Sequence, residues 1–350
     1  MTSHQTSRPT SQMAREIAEQ PAAARRTLDA LLPLRPEIRA LMGSRRRVLL
    51  VARGSSDNAA IYGRYLLETA AGVPAALAAP SVATHYGARL DLSDTLVVAV
   101  SQSGETTEIV RTQAWAASCG AATVAVTNGA GSTLATEADL ALVTRAGPEL
   151  AVPATKTYLT QLVAMAVLAD GLGGAVAEAL SAVPDAVSSL LSVDVSSASR
   201  ALAEAGDVVV SGRGLLMGTA LETALKLEET CLQPVRGYSY ADLRHGPISV
   251  VTSGVLAVLV AAADGPLATP MVELAADLQS RGARILGIGG TDEFRARCDV
   301  HLEAGRLLEV VTPLTAIVPA QLMIERLARD LGLDPDQPRG LAKVTRTDSQ

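Results

Sequence analysis

The sequence predicts an α/β protein built from two tandem domains, each a doubly wound parallel sheet flanked by helices. Three observations predict it. Short aliphatic runs without alternation recur along the chain, Ala- and Leu-rich segments of helical length separate them, and the whole pattern repeats after roughly 160 residues. A repeat on that scale means two similar domains rather than a solenoid of small units.

The runs Arg47–Gly54, Thr95–Val100 and Ala122–Thr127 are matched by Asp207–Gly214, Val255–Val260 and Arg284–Gly289. A strand covered on one face alternates apolar and polar residues, whereas a strand covered on both faces need not. Between the runs lie the helical segments Ala59–Ala71, Thr107–Cys119, Gly218–Leu232 and Met271–Arg281. Strand alternating with helix requires parallel strands joined by right-handed crossovers. The chain has 350 residues, 48% of them hydrophobic, enough for two cores.

The expected boundaries are an N-terminal helical segment (1–42), a first domain (43–190), a second domain (191–335) and a polar tail (336–350). Helix over Met13–Leu41 should break at Pro33 and Pro36. Ser and Pro between Ser181 and Ser199 suggest the seam.

Composition narrows the partners. A net charge of -6 and 2% aromatics disfavour nucleic acid and anionic membrane surfaces. Apolar stretches are too short for a membrane span, and the Ser/Thr-rich start, Met1–Gln12, lacks the core of a signal peptide. Cys119, Cys231 and Cys298 show no paired spacing and imply reduced thiols in a cytoplasmic setting. His4, His85, His245 and His301 form no ligand-spaced set, so neither metal nor other cofactor is expected.

In doubly wound sheets ligands bind beyond the carboxyl ends of the strands. There the run ending at Val100 enters Ser101-Gln102-Ser103-Gly104-Glu105-Thr106-Thr107. Ser101, Ser103, Thr106 and Thr107 offer hydroxyl donors, Gly104 lets main-chain amides approach a ligand, and the following helix contributes its positive end. Such a cradle holds a partly exposed phosphate dianion without Lys or Arg. The same residues also suit an ordinary helix N-cap. Glu222, Lys226 and Glu229, spaced i, i+4 and i+7, share one helical face, as a solvated charged stripe would too. His245 lies in a loop expected before a strand at Ile248, and Lys343 lies in the tail; each suits a structural or solvated role as well as a chemical one.

Six segments in order resemble the SIS (sugar isomerase) domain family: Ala52–Ser56, Ser101–Thr106, Ala146–Lys156, Ala220–Glu229, Leu243–Pro247 and Pro338–Lys343. Together they are similar to the isomerase half of the glutamine–fructose-6-phosphate amidotransferases and to stand-alone glucosamine-6-phosphate deaminases. The resemblance implies two tandem SIS domains and a phosphorylated hexose or aminosugar as partner. It implies that Ser101, Gln102, Ser103 and Thr106 grip the phosphate, with Ser56, Val152, Ala154 and Ala342 completing the sugar site. Glu229 would move the proton between C1 and C2 of the open-chain sugar, since one placed carboxylate can serve both carbons. Glu222 and Lys226 would orient it. His245, supplied across a homodimer interface, would open the ring, a task suited to imidazole. Lys343 would line the sugar site, where an amine removed from water becomes nucleophilic. The following Val344–Thr347 would close over it.

The pattern departs from the amidotransferases in three ways. No glutaminase segment with a catalytic N-terminal Cys precedes the first run, so amidotransfer from glutamine is not expected. Ala154 stands where Ser is usual, behind Pro153, which lacks an amide hydrogen. Glu228 stands where Lys is common. The expected activity is therefore isomerisation with deamination, taking glucosamine 6-phosphate to fructose 6-phosphate and ammonia. The alternatives are a dehydratase or lyase eliminating from N-acetylglucosamine 6-phosphate, a fructosamine-phosphate deglycase, and a non-catalytic sugar-phosphate sensor. Regulators of the last kind carry a helix-turn-helix module, for which the N-terminal segment is too short.

Overall fold

The computed structural model describes residues 10–343. Among these lie two five-stranded sheets, every pairing parallel. The first comprises β1 (Arg47–Val51), β2 (Ala75–Leu77), β3 (Thr95–Val100), β4 (Ala122–Thr127) and β5 (Leu140–Val143), in the order β2-β1-β3-β4-β5. The second comprises β6 (Asp207–Gly212), β7 (Val235–Ser239), β8 (Val255–Ala261), β9 (Arg284–Gly289) and β10 (Val300–Leu302), in the order β7-β6-β8-β9-β10. The duplication holds in register: Arg47 and Asp207, Ala75 and Val235, Thr95 and Val255, and Leu140 and Val300 each open a strand 160 residues apart.

Burial explains the aliphatic runs. Every residue of β3, β4 and β8 is buried, because helices cover both faces of each sheet. The short edge strands escape recognition by composition: β2 is Ala-Ala-Leu, and β7 carries Arg236 and Gly237. The expected helices appear as Ser55–Thr69, Thr107–Ser118, Met217–Cys231 and Ala268–Ser280.

Two local expectations are corrected. The N-terminal helix breaks at Glu19 as well as around Pro33, giving Gln12–Ala18, Gln20–Leu31 and Arg35–Met42, with Pro36 accommodated in the first turn of the last. The stretch where the seam is expected, between Ser181 and Ser199, lies between the two sheets in the chain. Helices Val183–Leu190 and Ser196–Glu204 run through it, with Pro184 at a helix start where its missing amide costs nothing. No strand forms at Ile248: Pro247–Val250 is a single 3₁₀ turn, and β8 begins at Val255.

The two halves share one continuous core, which includes Met13 and Leu28 of the N-terminal helices and Ile324 and Leu327 of the last helix, Thr312–Asp330. The helices Ser55–Thr69 and Met217–Cys231 meet at the seam. Gly218 faces the carbonyl of Asn58 there so closely that an added Cβ would overlap the oxygen. Overpacking of a rigid contact costs about 1–3 kcal/mol. Gly218→Ala is therefore expected to lower the melting temperature in a thermal denaturation followed by circular dichroism, while Gly131→Ala, in an open turn with no atom nearby and no left-handed backbone, should lower it less.

Candidate functional site

A cavity of about 550 Å³ opens beyond the carboxyl ends of the first sheet, bounded on its far side by the helix Met217–Cys231. Five chain segments converge on it: the turn after β1, the loop after β3, the stretch leading into helix Lys156–Ala169, the helix Met217–Cys231, and the tail.

The loop after β3 forms as the sequence predicts. Gly104 adopts φ +70°, and a side chain there would overlap the Ser132 hydroxyl, so only glycine fits. Ser101 Oγ lies 3.1 Å from Thr106 Oγ1 and accepts the Gly104 amide at 3.2 Å. Ser103 Oγ accepts the Glu105 amide at 3.2 Å. Thr106 is the N-cap of helix Thr107–Ser118, yet its side chain makes no capping bond. Ser101, Gln102, Ser103 and Thr106 all line the cavity. A pure N-cap would spend its hydroxyl on the helix amides, whereas here the Thr106 hydroxyl faces a ligand-sized space.

Ser56 enters from the start of helix Ser55–Thr69, its hydroxyl receiving a hydrogen bond from Gln161 at 3.0 Å. Val152 and Ala154 contribute the loop before helix Lys156–Ala169. The Val152 amide is already committed to the Asp336 carbonyl at 2.8 Å, which leaves its carbonyl as the main-chain group for a ligand. Ala342 lines the cavity beside Leu341 and Lys343. The closing segment Val344–Thr347 lies outside the described residues.

The charged face of helix Met217–Cys231 is not a solvated stripe. Glu222 and Lys226 are fully buried and Glu229 is 25% exposed. The Lys226 ammonium bonds Glu229 and stands 3.6 Å from Glu222 Oε1, while Asn58 donates to Glu222 Oε2 at 2.8 Å. Burial raises the Glu222 carboxyl above its ordinary range, against the pull of Lys226 and Asn58. Burial works against the charge on Lys226 too, but the two flanking carboxylates outweigh it and hold the ammonium protonated. Lys226 and Glu229 line the cavity, and Glu222 lies behind them. Glu228 is exposed, yet near enough to Glu229 for the two negative charges to act on each other.

Lys343 is docked rather than free. Its Nζ donates to Glu149 Oε2 and to the Ala151 carbonyl, both at 2.7 Å. Glu149 is fully buried and also accepts from the amides of Thr155 and Thr157, each at 3.0 Å, and from the Thr157 hydroxyl at 2.5 Å. Burial disfavours its charge, but Lys343 and these donors more than compensate and hold the carboxyl below its ordinary range. Glu149 was overlooked in the sequence because a lone Glu between Pro148 and Leu150 carries no periodic signal. Arg53 was overlooked as well. It lines the cavity and pairs with Glu108.

His245 is the predicted residue that the single chain does not bring in. It sits exposed at the end of the short helix Tyr240–Arg244 and does not line the cavity. Among the described residues no group of three or more His, Cys, Asp and Glu side chains is arranged to hold a metal, and no helix is long and apolar enough to cross a membrane.

Two parallel α/β repeats with a hydroxyl-lined cradle at the first switch of strand order define a phosphosugar-isomerase fold. The SIS domain family matches residues 41–170 and 201–328, one match per sheet, and the chain belongs to that family. It is 38% identical to the isomerizing glutamine–fructose-6-phosphate aminotransferase of Symbiobacterium thermophilum across 95% of this chain, which spans 58% of that relative's length. A Silicibacter pomeroyi DSS-3 protein assigned as a phosphosugar isomerase superposes with a TM-score of 0.86 at 34% identity, covering 93% of this chain and all of that one. Glucosamine-6-phosphate deaminase of Thermotoga maritima superposes with a TM-score of 0.75 at 26% identity, covering 96% of this chain and all of that one.

The Glu149–Lys343 pair sets a pH dependence. The folded-state Glu149 carboxyl lies below its ordinary value of 4.5, so its stabilisation is complete above that pH and is lost as pH falls through the lower, folded value. Protection factors for hydrogen exchange in residues 336–343, taken against the intrinsic rate at each pH, are expected to hold at pH 6–7 and to fall below pH 4.5, and Glu149→Gln should lower them at neutral pH.

Proposed function

We propose that this protein is an aminosugar-phosphate isomerase and deaminase that takes glucosamine 6-phosphate to fructose 6-phosphate and ammonia. The observation that carries the reading is one cavity lined both by an anion cradle, Ser101–Thr106, and by a carboxylate held against a buried ammonium, Glu229 with Lys226. Its volume of about 550 Å³ falls within the range for small-molecule sites.

The phosphate seats on the loop hydroxyls and amides, which fixes the sugar's far end and leaves C1 and C2 toward Glu229. After ring opening, Glu229 takes the proton from C2 while the C1 carbonyl oxygen gains one, forming an enolamine. Returning the proton to C1 leaves an iminium at C2. Water adds there, and ammonia leaves as the C2 ketone forms. Lys226 orients the Glu229 carboxylate, and Glu222 holds Lys226 from behind. The reading includes a homodimer in a cytoplasmic setting whose second copy supplies His245 for ring opening. The exposure of His245 outside the cavity supports that placement. Lys343, released from Glu149, would meet the sugar's carbonyl end.

The free amine of the substrate distinguishes this reaction from its relatives, because an N-acetyl group cannot form the C2 iminium and would divert the same enolate to loss of the C3 substituent. Incubation with glucosamine 6-phosphate should yield ammonia and fructose 6-phosphate in equal amounts. Product from N-acetylglucosamine 6-phosphate alone would assign the elimination instead, and binding without product would assign a sensor. Glu229→Gln should cut turnover by about 10²–10⁴ with ligand affinity retained. Ser101→Ala combined with Thr106→Ala should instead weaken affinity, by about 0.5–1.5 kcal/mol for each lost bond, measured by calorimetry.

A further inference from the structure

The loop hydroxyls and amides are neutral, yet a hexose 6-phosphate carries two negative charges near neutral pH. Cations therefore matter at this cavity, and three line it: Lys226, Lys343 and Arg53. Lys226 is enclosed between Glu222 and Glu229. Lys343 is spent on Glu149 and the Ala151 carbonyl. Both belong to the carboxylate side of the site.

Arg53 differs. It follows Ala52 at the exit of β1, next to β3 in the sheet, and so stands beside the loop that β3 feeds. Its Nε donates to Glu108 Oε2 and its Nη2 to Glu108 Oε1, both at 2.9 Å. Glu108 is 7% exposed and lies in the first turn of helix Thr107–Ser118, the helix whose start forms the cradle. One edge of the guanidinium is thus fixed by a buried carboxylate. Asp57 acts on the guanidinium electrostatically as well, and the side chain is 47% exposed and lines the cavity. A planar guanidinium anchored along one edge presents its remaining N–H groups with little ordering left to pay for.

We propose that Arg53 is the cationic ligand of the phosphate, presented by Glu108, and that it makes the site selective for phosphorylated over unphosphorylated sugars. The assignment rests on the reading of the cavity as a hexose-phosphate site. Glu108 serves as a positioning residue: it reaches the ligand only through the arginine, and its own charge, close to the cradle, is neutralised by the same contact. A lysine cannot replace Arg53, because an ammonium on a flexible stem cannot grip Glu108 along one edge and a phosphate along another.

The test is calorimetric titration of the full chain with glucosamine 6-phosphate, inorganic phosphate and glucosamine, with initial rates measured alongside. Charge-assisted hydrogen bonds to phosphate are strong, so Arg53→Gln should weaken glucosamine 6-phosphate and inorganic phosphate about tenfold to a hundredfold. Binding of glucosamine should stay unchanged. Arg53→Lys should recover only part of the loss, and the defect should fall on KM rather than on kcat at saturation. Since Arg53→Gln leaves Glu108 buried without its partner, the double variant Arg53→Gln with Glu108→Gln is measured too, with thermal denaturation to establish folding. If Arg53 contacts the phosphate, the double variant remains as weak as Arg53→Gln; if it regains wild-type affinity, Arg53 merely neutralises Glu108 and the assignment is overturned. Wild-type binding matched within twofold by Arg53→Gln overturns the assignment and leaves the cavity reading intact. A wild-type protein that takes up neither phosphorylated compound overturns both.

Discussion

The site depends on one buried ammonium. Lys226 lies inside the seam between the two halves, where an unpaired charge would be prohibitive, and the fold meets that cost with carboxylates on either side. Glu222 in turn is held by Asn58, a residue of the first half. The row Asn58, Glu222, Lys226, Glu229 therefore begins in one repeat and ends at the cavity wall with the other. Any change in how the halves dock moves the Glu229 carboxylate relative to the loop Ser101–Thr106. The close approach at Gly218 fixes that docking from the backbone side.

Much of the fold was legible because fully buried parallel strands and amphipathic crossovers leave strong marks in a sequence. The runs at Thr95–Val100 and Val255–Val260 are strands buried along their whole length. The edge strands were not legible, since a three-residue Ala-Ala-Leu strand exists only through its pairing with β1. Around the site, the Ser101–Thr106 loop was readable from its residue types, and Gly104 had to be glycine on steric grounds. Helical spacing correctly placed Glu222, Lys226 and Glu229 on one face, but spacing is silent about whether that face meets water or another helix. Here it meets the helix Ser55–Thr69. Lys343 and Glu149 lie 194 residues apart, and no local pattern marks their meeting. The exposed position of His245 likewise follows from tertiary placement.

The cavity resolves into charge pairs: Arg53 with Glu108, Lys226 with Glu222 and Glu229, and Lys343 with Glu149. Each cation was recruited from a different element and each is matched before any ligand arrives. The empty site thus avoids a large unbalanced field that would attract arbitrary anions. On the proposed reading, selectivity then comes from the loop hydroxyls and amides together with the anchored guanidinium of Arg53.

The first helix and the stretch around Asp336 also meet at this place. The carboxylate of Asp336 accepts the amides of Gln12 and Met13 at 2.8 and 2.7 Å, while its carbonyl holds Val152 in the cavity wall. Glu16, from the same first helix, accepts the Leu150 and Ala151 amides. The wall at 150–152 is thus braced from both flanks of the sequence, and loosening either the first helix or the stretch around Asp336 would loosen the cavity with it.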